Sequence, residues 1–383
     1  MVAVLTERRT ITRTVLRCLP LTPIHIGDGS EMRLDEYVLE EKPTPSLCRF
    51  DPIEAVRRMS SEERTRFRTA LNSGRLADAA TALRAAGKRC VTGRVPISSA
   101  SLNALRTALQ DPSRLRTGGV RAFVRSRGQP YIPGSSIKGA FRTALASARL
   151  PRDQSPADGW THDSAMEAAL GIDRNDTSTD PLRFLSVADS ALPDVALVID
   201  KAEVIKSGGM PASSSRFGGI QMHYERTRAR SDAANDPTAF DLALTIDSRS
   251  YFGRRELFQL TSRFHWSVWQ GERTRFFRDV PKTCAAMDRL LKQVKLPGGT
   301  TAAEAGPEGA RNYLLLRLGR FGHFESKSLE GVRRGHFPQA RDAGRRVRQP
   351  DEWGSTRTVT RLDDGTPIPF GWVLGWVTKE ERL

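Results

Sequence analysis

The stretch YIPGSSIKGAFRTAL, Tyr131–Leu145, decides how this chain is read. It begins as the end of a strand and turns at Pro133 and Gly134. It then enters a helix at Ser135 or Ser136, whose hydroxyls suit the unpaired backbone N–H groups of a first helical turn. Ile137, Phe141, Ala144 and Leu145 recur at helical spacing and form one apolar face. Lys138 and Arg142 lie on another face. A cation in the first turn opposes the helix dipole and is locally unfavourable unless an anion shares the position. Gly134, Ser135, Ser136, Lys138 and Arg142 therefore describe a phosphate seat at a helix N-terminus. The plainer alternative is a tight strand-to-helix junction with a solvent-exposed Lys138.

Composition favours the phosphate seat. The 383 residues include 60 Lys plus Arg against 44 Asp plus Glu, a net charge of +16. A field of that sign attracts polyanions: nucleic acid, an anionic membrane surface or acidic protein. Arginine, the more abundant cation, suits bidentate phosphate contacts and base stacking. The charge is spread along the chain, so the binding surface is expected to be folded and not a basic tail. The length predicts two domains. No apolar run approaches the roughly 18 residues of a membrane span, and charge interrupts the N-terminal apolar run too early for a secretory signal. Cys18, Cys48, Cys90 and Cys284 are scattered without a C-x-x-C pair, which predicts free thiols and a reducing cytoplasm.

Outward from the quoted segment, Ile11–Leu19 alternates apolar with Thr and Arg, a half-buried strand with a basic outer face. Residues 51–90 predict two or three helices broken near Asn72–Gly74 and Gly87, and a further helix spans about 98–110. Strands are expected near 119–132, 182–190, 195–205, 220–227 and 240–247, with a short helix around Ser164–Leu170. Residues 253–293 read as helical. Tyr313–Leu318 reads as a strand that runs into a glycine loop, and 367–380 reads as the last strand. The strands alternate in polarity, whereas parallel sheets buried on both faces give continuous apolar runs. The fold class is therefore α+β, with antiparallel sheets and helices on one face.

Three motifs stand in order: LTPIHIGDGS (21–30), YIPGSSIKGAFRTAL (131–145) and LRLGRFGHFESKS (316–328). Together they resemble the RAMP superfamily of CRISPR-associated RNA-binding proteins. The long helical insert between the first two, the Glu36–Tyr37–Val38 strand, and the late segments from Trp353 and Phe370 look like the fifth-subunit family of the type III-A Csm effector complex. The resemblance implies two ferredoxin-like (RRM-type) domains. One is residues 1–205 with a helical insert at about 51–110, and the other is 206–383 with the glycine-rich loop at 319–328. It also implies a non-catalytic, cytoplasmic subunit that binds crRNA and caps the filament near the crRNA 3′ end, meeting target RNA. Its implied partners are an adjacent backbone RAMP subunit, the small helical subunit and cellular nucleases that mature the crRNA 3′ end. No cofactor, metal or membrane is implied.

The candidate contacts follow from the motifs. In the glycine loop, Gly319 and Gly322 allow close phosphate approach, Arg320, His323 and Lys327 supply charge, and Phe321 and Phe324 are placed to stack on bases. Inward-packed phenylalanines are the alternative there. The loop is not a nucleotide P-loop, since Ser326 stands where the second glycine of that motif belongs. Residues 206–228 interleave Arg216, Phe217, His223, Tyr224, Arg226 and Arg228, a pattern suited to backbone tracking with stacking or to a plain surface loop. His25 and Gly27 lie in the first loop, where His25 also reads as a structural histidine. Asp28 or Asp35 would serve a metal-dependent endoribonuclease. Asp28 equally closes a turn, and Asp35 precedes Glu36 where backbone-type relatives have a small residue and proline. His162–Asp163 lacks the further ligands a metal site needs, because none of the six histidines is spaced i, i+4 with another.

Overall fold

The computed structural model describes residues 10–110, 119–150, 162–206, 222–229, 236–333, 353–362 and 364–383. The first part of the chain runs through β1 (Ile11–Pro20), β2 (Glu31–Met32), β3 (Tyr37–Glu40), β4 (Ser46–Phe50), α1 (Pro52–Arg57), α2 (Ser61–Asn72), α3 (Leu76–Gly87), β5 (Val91–Pro96) and α4 (Ser99–Gln110). The middle holds β6 (Val120–Arg121), β7 (Arg125–Ser126), β8 (Gln129–Ile132), α5 (Gly134–Arg149), α6 (His162–Leu170), β9 (Leu185–Val187), β10 (Ser190–Ala191), β11 (Leu197–Lys206), β12 (Met222–Thr227) and β13 (Phe240–Asp247). The last part holds α7 (Arg254–Arg275), α8 (Pro281–Gln293), α9 (Ala302–Ala305), β14 (Tyr313–Arg317), β15 (Thr356–Arg361), β16 (Pro367–Pro369) and β17 (Trp372–Arg382).

Alternation in Ile11–Pro20 turns Thr14, Leu16 and Cys18 inward, and β1 becomes the centre of a five-stranded antiparallel sheet ordered β14-β17-β1-β13-β9. Intervening elements aside, β1, α5, β9, β13, α7 and β17 follow one another as β-α-β-β-α-β, and those four strands lie in spatial order 4-1-3-2. Leu16, Leu242 and Leu244 pack under Ile137, Phe141 and Phe258 of α5 and α7, where the Phe141 and Phe258 rings stack with centroids 6.5 Å apart. The outer face of β1 is basic, as expected, but its charges are paired across strands: Arg13 with Glu381 and Arg17 with Asp241.

A six-stranded sheet, β16-β15-β11-β12-β6-β2, is antiparallel except between β12 and β6. The fold is therefore mixed α+β with predominantly antiparallel sheets. Strand pairing in both larger sheets crosses the 205/206 boundary expected from the sequence. β1 lies between β13 and β17, and β11 pairs with β12 and β15. Helices α1–α3 pack on a separate β3-β4-β5 sheet through Val38, Cys48, Phe50, Ala55, Met59 and Leu83. A Ser60–Glu63 capping box opens α2. The four cysteines are free, and no helix among the described residues is long and apolar enough to cross a membrane.

Two arginines and two glutamates lock the C-terminal elements together. Glu272 of α7 accepts from Arg317 of β14 and, at 2.7 Å, from Arg357 of β15. Arg357 also pairs at 2.9 Å with Glu325 of the glycine loop. All four side chains are buried. Removing one member of such a set leaves uncompensated buried charge, which costs about 3–5 kcal/mol. Glu272→Ala is therefore expected to lower the unfolding free energy by that margin in a denaturant titration, and a stability equal to the parent protein's contradicts the assignment.

Candidate nucleic-acid interface

The first loop is laid onto β12 by its backbone. Ile24 N donates to Thr227 Oγ1 at 2.8 Å, Thr227 N donates back to Ile24 O at 2.9 Å, and His25 Nδ1 donates to Glu225 O at 2.7 Å. The His25 ring is buried among Tyr224, Phe321 and Phe123. Burial pulls its pKa down to about 4. Its side chain therefore supports the site from behind and does not line it, as the structural reading of His25 holds. Its carbonyl does more, because it accepts from Arg320 N at 2.9 Å and docks the glycine loop on the first loop. Gly319 makes that approach possible. Its φ is +86°, and a Cβ there would stand 2.4 Å from His25 O.

Helix α5 starts at Gly134, with Pro133 as the N-cap and no side-chain cap. The serines expected to cap it lie within its first turn instead. Gly134 N donates to Asp189 Oδ1 at 2.8 Å, and a Cβ on Gly134 would meet Val187 O at 2.2 Å, so the helix start is pressed against the end of β9. Ser135 and Ser136 face a cleft of about 360 Å³ whose opposite wall is Gly319, Arg320, Ser326 and Lys327, with Gly27 and Arg317 also in its lining. The three sequence motifs thus meet in one place. Among the described residues no carboxylate lines the cleft, and the Arg317 charge is spent on Glu272. Arg320 and Lys327 supply the surplus. Lys327 sits below the ordinary lysine value, through desolvation and then through Arg317 and Arg320. That is the electrostatic condition an anion relieves.

The structure removes several expected contacts from this cleft. Lys138 donates to Leu185 O at 2.8 Å and Arg142 pairs with Asp180, so both tie α5 to the segment around β9. They sit beside Ser135 on the helix but turn away from Ser136, and neither lines the cleft. Tyr224 is buried beneath His25 and Phe321, with its hydroxyl on Met222 Sδ at 2.8 Å. Arg226 is buried against Asp200, which also accepts from Ser98 and Thr360. His323 adopts φ +58° and accepts from Thr358 N at 2.9 Å, with its pKa pushed down to about 2 by burial and by Arg317 and Arg357. Gly322 closes the loop internally, donating to Gly319 O, and Phe321 packs inward on Phe370 with ring centroids 4.7 Å apart. Arg216 and Phe217 lie outside the described residues. Asp28 accepts from the Ser30 amide and hydroxyl, closing a turn. Desolvation raises its carboxyl, but those hydrogen bonds leave it below the usual range. Asp35 pairs with Arg33 at 2.9 Å. Among the described residues no group of three His, Cys, Asp or Glu is placed to hold a metal.

Sequence reasoning missed Gly139, Thr143 and Ser326 in the lining. Gly139 and Thr143 follow Ser135 at i+4 and i+8, so helical periodicity carried the signal for both.

A family model of the RAMP superfamily matches residues 112–231. The protein "CRISPR system Cms protein Csm5" of Streptococcus thermophilus is 31% identical over 150 residues, a match that spans 34% of this chain and 37% of that protein's length. A chain in a cryo-EM structure of a Csm–crRNA–target RNA ternary complex from a type III-A CRISPR–Cas system superposes with TM-score 0.59 at 16% identity. That match covers 95% of this chain and 100% of that one, and it establishes a shared fold. A crystal structure of T. onnurineus Csm5 matches at TM-score 0.48 and 18% identity, covering 94% of this chain and 99% of that one.

Buried histidines give the fold a pH signature. Burial lowers His25 and His223 to about 4, His265 to about 3 and His323 to about 2. All four are neutral in the fold, whereas the unfolded chain protonates near the ordinary value of about 6.5. Their stabilisation is complete above that value and is lost as pH falls from there toward the folded values. Each histidine contributes up to about 1.4 kcal/mol per pH unit in that window. Denaturant titrations between about pH 7 and pH 5 should show the decline. His323→Gln, which keeps an acceptor for Thr358 N, should make it shallower. Stability that rises on acidification contradicts the assignment.

Proposed function

We propose that this chain, a RAMP superfamily protein similar to Csm5, is a non-catalytic guide-RNA-binding and assembly subunit of a type III-A Csm effector complex. It caps the filament near the crRNA 3′ end beside a backbone RAMP subunit and the small helical subunit, where target RNA pairs with the guide, and it assists 3′-end maturation through cellular nucleases. The single observation that carries the reading is the cleft that joins all three motifs, cationic at Arg320 and Lys327 and open to the first turn of α5. Backbone N–H groups, hydroxyls and unspent cations hold phosphates and 2′-hydroxyls without reading base identity. The 4-1-3-2 sheet is the arrangement a ferredoxin-like module requires. A non-catalytic role is supported by the use of Asp28 and Asp35 in local turn and ion-pair contacts.

Filter binding of single-stranded RNA over a salt series tests this reading. The parent protein should bind with little sequence preference and weaken steeply as salt rises. Arg320→Ala with Lys327→Ala should weaken binding roughly tenfold or more and flatten the log–log salt slope by about 0.7 for each phosphate no longer neutralised. Unchanged affinity and slope in that variant contradict the proposal.

Lys138→Met separates support from contact. Losing the charge-assisted bond to Leu185 O should cost about 1.5–3 kcal/mol of stability and leave RNA affinity at the parent value. Normal melting with weakened RNA binding places Lys138 on the RNA instead.

A further inference from the structure

A second cluster of arginines lies at the other end of β9, on the sheet face opposite α5 and α7. Phe184 closes the 3-10 turn Pro181–Phe184 that leads into β9, and two guanidinium groups sit on its ring. The Arg183 carbon is 4.5 Å from the ring centroid and the Arg249 carbon is 4.8 Å from it. Arg249 is further oriented by Asp247, which accepts from Nε at 3.0 Å and Nη2 at 2.8 Å. Arg183 is exposed and makes no close ion pair among the described residues, although its charge helps to lower the Asp176 carboxyl after the Ser178 hydrogen bonds. Asp180 is engaged by Arg142 and Leu182 N. Beside the three side chains is a hollow of about 470 Å³, lined also by Ser186, Thr245 and the Asp247 carboxylate that Arg249 pairs with.

We infer that Arg183, Phe184 and Arg249 form a second contact for single-stranded RNA, taking a phosphate on the Arg183 guanidinium edge and a base against the exposed Arg183 plane, with Arg249 held by Asp247 as the support on the Phe184 ring. This rests on the reading of the chain as an RNA-binding subunit. A guanidinium already stacked on a ring loses little freedom on binding, and the Arg183 edge matches a phosphate bidentately. A guanidinium plane also serves as a stacking platform for an unpaired base. The hydroxyls add short polar contacts to sugar or phosphate. Continuity argues for RNA over an acidic peptide. The far end of β9 abuts the α5 N-terminus through Val187 and Asp189. β9 is the short edge strand of its sheet, so one continuous polyanion passing round that edge joins the two sites. A carboxylate side chain supplies no ring for the guanidinium plane.

The test is titration of the full chain with a labelled oligouridylate over a salt series. Arg183→Ala, at an exposed position, should weaken binding roughly tenfold and flatten the salt slope by about 0.7. Phe184→Leu should weaken binding several-fold with the slope unchanged, because it disturbs stacking and removes no charge. Melting temperatures confirm that each variant is folded. Parent-like binding by both variants, with Arg320→Ala weakened, overturns this contact and leaves the proposed function standing. Parent-like binding by all three overturns both. Loss of binding to poly-glutamate, with oligouridylate binding retained, assigns the cluster to an acidic protein and overturns the inference.

Discussion

Glu272 is the constraint on which the rest of the structure depends. A carboxylate buried in a protein interior is tolerated only when paired and hydrogen-bonded. Glu272 meets that requirement with Arg317 and Arg357, which reach it from two different sheets. Arg317 also donates to Phe370 O at 2.9 Å and Phe321 O at 3.2 Å, and Arg357 carries the connection on to Glu325. Helix α7, β14, β15 and the glycine loop are thereby placed relative to one another by charge neutralisation. Glu225 plays a matching part beneath the first loop. It receives Arg49, Arg125 and the Phe123 amide, while its carbonyl takes His25. Between these two hubs the first loop and the glycine loop come together.

The count of 60 Lys plus Arg overstates how much positive charge is free to bind polyanions. Arg226, Arg142, Arg317, Arg125 and Arg357 all have carboxylate partners, and Lys138 is held by a carbonyl. What matters for binding is where the surplus falls. Arg320 and Lys327 face a cleft without a carboxylate in its lining among the described residues. Several arginines thus serve the architecture, while these two cations are left for a ligand.

Much of the fold was legible because it is written in local periodicity. The alternation of Phe240–Asp247 and Ile11–Pro20 marked β13 and β1, and the breaks near Asn72–Gly74 and Gly87 marked the gap between α2 and α3 and the end of α3, while the gap between α1 and α2 at 58–60 was not marked. The three motifs that stand in order along the sequence also meet in space, since Gly27, Ser135, Ser136, Gly319, Arg320 and Lys327 line one cleft. Partners distant in sequence were not legible. Nothing near Arg142 announces Asp180, and nothing near Lys138 announces the Leu185 carbonyl. Phe321 and His323 carry RNA-contact chemistry but face inward because their loop turns at Gly319 onto His25. Strand neighbours were hidden for the same reason. β1 is central because β13 and β17 bury its two edges, a choice made by tertiary packing and not by its own residues.

Ultraviolet cross-linking of bound single-stranded RNA to the intact protein, with the attachment sites mapped by mass spectrometry, tests the central claim most directly. The account predicts cross-linked peptides from the glycine loop around Arg320 and Lys327 and from the start of α5 around Ser135 and Ser136. Cross-links confined to the helical segment 52–110, with none at either wall of the cleft, would contradict it.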